Sequence, residues 1–161
     1  MPNLNHPVVL VTGAAGNLGR AVAAAFAAHA DGLALVDLHE PSLSEACDAL
    51  AGNTHCLGLA ADLLDPAAVN HVIDKARGHF GRIDVVANIA GGFRMGPPVH
   101  ETPDADWDFM MDLNARSVFH CCRAVVPLMT ARGSGRIINV SARAALNGKG
   151  QLVLAGNGHV R

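Results

Sequence analysis

The residues best suited to chemistry in this sequence form a glycine-rich turn near the amino terminus. Positions 12–19 read TGAAGNLG and lie between an apolar run and an alanine-rich stretch. Glycines in such a turn permit a tight reversal, the close approach of a pyrophosphate and close packing of the next helix. The free N–H groups at the helix start attract phosphates. We expect a nucleotide-binding turn here, with an ordinary strand-to-helix turn as the alternative. The candidate contacts are Gly13, Ala15, Gly16, Asn17, Leu18 and Gly19.

The next apolar run, LALVD, ends in a carboxylate, Asp37. Dinucleotide-binding sites carry an acidic residue about 20 residues beyond the glycine turn, where it accepts hydrogen bonds from the adenosine ribose hydroxyls. The same charge repels a ribose 2′-phosphate. Leu38 and the two residues after it include no arginine that would attract that phosphate. The sequence therefore predicts NAD and not NADP as the cofactor, with a solvent-exposed aspartate at a strand end as the alternative.

These residues need a scaffold that brings the ends of several strands together. Apolar runs alternate with helical stretches along the chain, a pattern that predicts βαβ units and a parallel sheet. We expect a Rossmann-type doubly wound α/β fold with strand order 3-2-1-4-5. Strands are predicted within 7–12, 33–37, 54–62, 83–91 and 135–141, and helices at 17–30, 41–51, 65–81 and 104–133, the last with a kink at Pro127.

The composition fits one domain built around such a sheet. Of 161 residues, 50% are hydrophobic and 16% are charged, which suits strands that are buried on both faces. The net charge of −2 gives no reason to expect a nucleic-acid or anionic membrane surface. We also expect no signal peptide and no membrane-spanning segment, because the basic start of the one and the long apolar run of the other are both missing.

The cysteines and histidines show no metal-binding spacing. The four cysteines form no C-x-x-C pair, and the nine histidines form no H-x-x-x-H pair. We therefore expect no metal site. All four cysteines are predicted to be reduced thiols in a cytoplasmic protein.

Four segments, added to the glycine turn, make the sequence similar to a known family. They are ADLLD at 61–65, NIAG at 88–91, MDLNARSVFHCCRAVVPLM at 111–129 and GRIINVSARAAL at 135–146. Together they resemble the classical short-chain dehydrogenase/reductase family. The resemblance implies an NAD(P)-binding Rossmann domain over 1–150, followed by a non-matching tail at 151–161.

The resemblance also implies further cofactor contacts. It places Asp62 at the adenine amine and Leu63 beside the adenine ring. The segment NIAG matches the family's N-N-A-G motif, with Ile89 replacing the second asparagine. This match implies cofactor-side roles for Asn88, Ala90 and Gly91, although Asn88 could simply brace the sheet.

The family's chemistry moves a hydride between nicotinamide and an alcohol or carbonyl carbon, with a tyrosine and a lysine that handle the proton. The resemblance assigns Asn114 to the proton relay, with a purely local helix hydrogen bond as the alternative. Ser141 is the candidate serine, although the usual register falls on Ala142. The tyrosine and lysine positions fall on Ala155 and His159, and the sequence contains no tyrosine at all.

Three functions are compatible with these residues. The first is an NAD-dependent oxidoreductase acting on a small alcohol or carbonyl, of which this chain is a C-terminally truncated or frame-altered and inactive form. The second is a non-catalytic NAD-binding module, and the third is another Rossmann enzyme such as a methyltransferase. Asn114 and the segment NIAG count against the third.

The long helix and the loop before it are the candidate contact surfaces. Residues 91–104, GGFRMGPPVHETPD, either line a substrate mouth or merely connect a strand to a helix. We expect a homo-oligomer, if one forms, to use the helix at 104–132. Without the family's carboxyl-terminal third, this helix should expose apolar side chains and favour association. The candidates are Phe109, Val118, Val125 and Met129.

Overall fold

A computed structural model describes residues 6–141. These residues form a five-stranded parallel sheet in the order β3-β2-β1-β4-β5, which confirms the predicted fold class and strand order. The strands are β1 Val8–Thr12, β2 Gly32–Asp37, β3 His55–Ala60, β4 Val85–Asn88 and β5 Arg136–Asn139.

Helices cover both faces of the sheet. On one face, α3 and α5 pack over a core that includes Leu10, Val36 and Val86. On the other face, α1 and α2 pack over a core that includes Val9 and Leu35. The helices are α1 Asn17–Ala27, α2 Glu40–Asp48, α3 Pro66–Phe80, α4 Asp104–Met111 and α5 Ser117–Ala131. No helix among the described residues is long and apolar enough to span a membrane.

The predicted long helix at 104–133 is wrong in its interior. The structure divides it into α4 and α5 by a π-helical segment, Asp112–Arg116. Pro127 lies within α5. Around the π-helical segment, two side chains donate to carbonyls four residues back: Asn114 Nδ2 to Met110 at 3.0 Å and Ser117 Oγ to Leu113 at 2.7 Å. Such bonds compete with the regular backbone ladder, and hydropathy patterns do not show them.

Two of the four predicted thiols are instead paired. Cys47 on α2 and Cys56 on β3 form a disulfide with a Cα–Cα distance of 5.5 Å. Gly58 explains why α2 comes so close to β3, because a Cβ there would lie 3.2 Å from the Cβ of Leu43. The sequence spacing of these cysteines gave no sign of the pairing. Cys121 and Cys122 are free, as predicted.

The apolar surface predicted for the long helix also needs correction. Val125 and Met129 are buried against the sheet, whereas Phe109 is 44% exposed. Val118 is half-buried. The exposed apolar side chains of α5 are Phe119 and Val126, which lie seven residues apart and therefore on one stripe. The prediction is confirmed for Phe109 and wrong for Val125 and Met129, because an apolar helix offers more than one stripe that could face the core.

A buried ion network joins the amino ends of the central strands. Asp84 accepts hydrogen bonds from the Val8 backbone at 2.9 Å, from Arg82 Nε at 2.7 Å and from Arg132 Nη2 at 2.7 Å. Burial raises the Asp84 pKa, but these three hydrogen bonds outweigh it, so the pKa lies below its ordinary value. The network lies at the opposite end of the sheet from the glycine turn and stabilises the start of β1 and β4.

Candidate functional site

A cavity of about 820 Å³ opens at the carboxyl ends of the strands. It lies where β1 has β2 on one side and β4 on the other, the switch point at which doubly wound sheets bind ligands. Its volume is within the range of small-molecule sites. Of the predicted cofactor-binding residues, all but Asn88 line it. These are Gly13, Ala15, Gly16, Asn17, Leu18, Gly19, Asp37, Leu38, Asp62, Leu63, Ala90 and Gly91.

The glycine turn has the tight geometry that its spacing predicts. Gly13 has φ +62°, and a Cβ on it would lie 2.7 Å from Ala90 Cα. A Cβ on Gly19 would overlap the Gly13 carbonyl oxygen and would lie 2.7 Å from Ala14 Cα. These two positions therefore allow β1, β4 and α1 to approach one another closely.

The amino end of α1 is open toward the cavity. The helix begins at Asn17 after Gly16, and no side chain caps it. The first N–H groups of a helix have no partner within the helix, and its positive dipole end favours anions. Since Asn17, Leu18 and Gly19 all line the cavity, their backbone can receive a pyrophosphate.

Asp37 is held in place by backbone donors. Its Oδ2 accepts from Ala15 N at 3.0 Å, and its Oδ1 accepts from Leu38 N at 2.8 Å. A carboxylate can accept about four hydrogen bonds, so capacity for two hydroxyl donors remains. The bond to Ala15 also connects the end of β2 to the glycine turn.

Arg20 is a residue that the sequence reading missed. Its Nε donates to the Ala15 carbonyl at 2.9 Å, and its Nη2 lies 3.3 Å from both the Ser42 carbonyl and Glu45 Oε2. The guanidinium thus connects the glycine turn to α2. Its position directly after Gly19 was the one available signal.

Asp62 and Leu63 line the cavity just beyond the end of β3. The preceding residue, Ala61, donates its N–H to the Asp37 carbonyl at 2.9 Å. Asp62 is exposed and accepts from Leu64 N at 2.9 Å through Oδ1. Leu63 is half-buried and packs against the core below α3 and α5.

Asn88 ends β4 and does not line the cavity. It is 3% exposed, and its Nδ2 donates to Asn139 Oδ1 at 2.8 Å. Its Oδ1 is buried without a hydrogen-bond partner among residues 6–141. Thr12, which the sequence reading did not single out, joins β1 to the same region because its Oγ1 accepts from Ile89 N and Ala90 N at 3.1 Å each.

The candidate catalytic residues lie outside the cavity lining. Asn114 Oδ1 accepts from Gly92 N at 3.0 Å, while its Nδ2 bonds the Met110 carbonyl. It therefore joins the π-helical segment to the loop that follows Gly91. Ser141 is exposed just beyond β5. Ala142, Ala155 and His159 lie outside the described residues.

The remaining cavity wall comes from residues to which the sequence assigned no role of their own. They include aliphatic and small polar side chains from α2, the π-helical segment, α5 and the loops between elements, and none is an aspartate, glutamate, lysine or arginine. These residues are His39, Ser42, Ala61, Leu64, Ile89, Leu113 and Ser117. Within residues 6–141, no group of three or more His, Cys, Asp or Glu could hold a metal ion.

Known proteins share this architecture. The family model described as short chain dehydrogenase matches residues 7–154. Oxidoreductase UcpA of Escherichia coli K12 is 38% identical over 143 residues, which cover 88% of this chain and 54% of that protein.

Two solved structures extend the comparison. NAD⁺-bound xylitol dehydrogenase has a TM-score of 0.88 at 30% identity and is matched over 96% of this chain and 60% of its own. L-Sorbose reductase from Gluconobacter frateurii, solved with NADPH and L-sorbose, has a TM-score of 0.86 at 27% identity, with the same two coverages of 96% and 60%. The chain thus spans little more than half the length of these relatives. Since the family model covers most of its residues, the chain belongs to the short-chain dehydrogenase family.

Proposed function

We propose that these residues form the dinucleotide-binding part of an oxidoreductase that transfers hydride between a nicotinamide cofactor and a small alcohol or carbonyl compound. The single observation that carries the proposal is the cavity at the switch point, bounded by the open amino end of α1 on one side and by Asp37 on the other. Residues 1–150 would make up this binding domain, with 151–161 as a tail of different character.

The cofactor would lie across the sheet with its parts assigned to different walls. The N–H groups at the start of α1 would bind the pyrophosphate, Asp37 the adenosine ribose, and Asp62 with Leu63 the adenine. Ala90 and Gly91 would border the nicotinamide side. The bound nicotinamide would supply or accept the hydride.

We propose NAD as the cofactor. The argument rests on charge, since a 2′-phosphate beside the Asp37 carboxylate would place two negative groups together. Arg20 is the nearest candidate to offset that repulsion, but its guanidinium already contacts two carbonyls and Glu45. Solved structures similar to this chain hold either cofactor, NAD⁺ in xylitol dehydrogenase and NADPH in L-sorbose reductase, so the proposal rests on the charge of Asp37.

Catalysis needs groups that these 161 residues do not contain. Asn114 could support a proton relay and Ser141 could hold the substrate oxygen, but the sequence has no tyrosine to exchange the proton. We therefore propose that this chain binds the dinucleotide without completing the reaction by itself. A non-catalytic NAD-binding module is the alternative, and the missing tyrosine is the observation that favours it.

The proposal also includes the surface for oligomerisation and the cellular location of the protein. Phe119 and Val126 on α5 are 55% and 43% exposed, so we propose that a homo-oligomer would use the helical region at 104–132. A cytoplasmic location stays a prediction.

Titration calorimetry of the purified chain with NAD and NADP tests the proposal, combined with an assay of NADH formation with small alcohols. We expect binding of NAD, weaker binding of NADP and no turnover. Absence of heat with both dinucleotides would refute the binding function. Turnover by this chain would refute the proposed inactivity, and tighter binding of NADP would refute the cofactor choice.

A further inference from the structure

A buried histidine lies behind the wall of the cavity that we assign to adenine. His120 on α5 is 7% exposed and does not line the cavity. Its Nδ1 lies 2.9 Å from the carbonyl oxygen of Leu63, which is 57 residues away in the sequence. None of the functional residues considered above involves this side chain.

The chemistry of the two partners sets the direction of this hydrogen bond. A backbone carbonyl can only accept, so Nδ1 must carry the proton. If His120 is neutral, it is therefore the tautomer with the proton on Nδ1 and the lone pair on Nε2. The hydrogen bond is partly buried, so losing the donor would leave the Leu63 carbonyl incompletely paired, which is costly. The pairing therefore constrains both the ring and the Leu63 backbone.

Besides the packing of Ala61 and Leu63 on the core, the segment 61–65 that receives this bond has few other hydrogen bonds to the body of the fold within residues 6–141. At its start, Ala61 N donates to the Asp37 carbonyl. The next two bonds, from Leu64 N to Asp62 Oδ1 and from Asp65 N to the Asp62 carbonyl, remain within the segment itself. His120 therefore connects the turn at Leu63 to α5, which packs on the sheet through Cys121 and Val125.

We propose that His120 is a positioning residue for adenine binding. Its Nδ1–H would hold the Leu63 carbonyl from behind, so that the Leu63 side chain and the neighbouring Asp62 face the adenine in fixed positions. This inference rests on the proposed dinucleotide function, and it adds a residue that acts through the wall and not by contact with the ligand.

Two substitutions separate a hydrogen-bonding role from a packing role. His120→Asn retains a donor at the δ position but loses ring volume, whereas His120→Leu retains much of the volume and loses the donor. The probe is 5′-AMP, which contains the adenine and the ribose but no nicotinamide. We expect His120→Leu to weaken AMP binding roughly three- to tenfold, as the loss of one hydrogen bond predicts, and His120→Asn to restore most of the affinity. The matched control is His71→Leu on the exposed side of α3, which should leave the affinity for AMP unchanged.

The outcomes distinguish this inference from the proposed function. If the wild-type chain does not bind AMP, both fall together. If the wild-type chain binds AMP, the positioning role alone is refuted by either of two results. One is that His120→Leu binds AMP as tightly as the wild type, and the other is that His120→Leu binds AMP more tightly than His120→Asn. A ¹⁵N spectrum of the histidine rings in the wild-type chain provides a test that needs no variant, because a neutral His120 with its proton on Nε2 would also overturn the inference.

Discussion

The carboxylate of Asp37 accepts a hydrogen bond at 3.0 Å from the backbone N–H of Ala15, and so the end of β2 is joined to the glycine turn. The bond orients the carboxylate toward the cavity that both residues line. It also means that any change at Asp37 acts both on the end of β2 and on the glycine turn.

Replacing Asp37 with Asn should weaken NAD binding and reduce the preference for NAD over NADP. The amide is neutral, and only its oxygen can accept, so one of the two backbone donors at Ala15 and Leu38 loses its partner. We expect NAD affinity to fall roughly tenfold, in line with the loss of one or two hydrogen bonds to a charged group, while NADP affinity falls less. Calorimetry measures both. Asp48→Asn, on the exposed side of α2, is the control, and an unchanged NAD-to-NADP ratio would contradict the assignment of Asp37.

A methyl group at Gly19 should disrupt the glycine turn. In Gly19→Ala, the new Cβ would overlap the Gly13 carbonyl oxygen, so α1 would have to move away from β1. We expect a destabilisation of about 1–3 kcal/mol, typical of overpacking, together with loss of dinucleotide binding.

Gly78→Ala is the matched control for that change. Gly78 lies in α3, and a Cβ there would meet nothing within 4 Å. Alanine favours a helix over glycine by about 1 kcal/mol, so this variant should be slightly more stable and should bind normally. Equal effects of the two substitutions in urea unfolding would show that the turn is not tightly packed.

Removing the charge of Asp84 should destabilise the fold in a pH-dependent manner. Asp84→Asn leaves Arg82 and Arg132 without their shared carboxylate. We expect a loss of about 2–3 kcal/mol at pH 7, below the range for fully buried pairs because both arginines are 37% exposed.

The pH dependence of that loss follows from the lowered pKa of Asp84. A depressed folded-state pKa stabilises the fold above the unfolded value, about 3.9, and this contribution is lost as the pH falls through the folded-state pKa. The difference between wild type and variant in urea unfolding should therefore shrink below about pH 4. A difference that stays constant with pH would contradict the ion network. Asp74→Asn, which removes an exposed pair with Arg77, should change stability by less than about 1 kcal/mol.

Thiol chemistry should distinguish the cysteines. When the chain is unfolded without reductant, we expect two titratable thiols, Cys121 and Cys122. In the folded chain, burial and then the neighbouring Cys122 raise the Cys121 pKa to about 12, so Cys121 should resist alkylation at pH 8 because the thiolate is the reactive form. Cys47→Ser removes the disulfide that closes the short loop to Cys56, and we expect it to lower the free energy of unfolding by about 3 kcal/mol. Four thiols in the unfolded chain would refute the disulfide.

The fold could be predicted because its signals are local. Strands buried on both faces are continuous apolar runs, and β1 and β2 were found within one residue of their predicted bounds. The cap of α3 is also local, since Asp65 Oδ1 accepts from Ala67 N at 2.8 Å. The glycine turn could be predicted for the same reason, since its geometry depends on a few adjacent residues.

Features that depend on how elements pack together could not be predicted. The stripe of α5 that faces the core is chosen by the sheet, which buries Val125 and exposes Val126. The π-helical segment occurs where Asn114 and Ser117 donate to carbonyls four residues back, and hydropathy patterns do not indicate such a break in a helix.

By itself, the sequence determined the order of strands and helices, the glycine turn after β1 and the carboxylate at the end of β2, because each depends on residue types at short spacing. Only the tertiary structure decided that Cys47 meets Cys56, that Arg20 joins the glycine turn to α2 and that His120 supports Leu63. These pairs are set by the distances between packed elements, which local residue patterns do not encode.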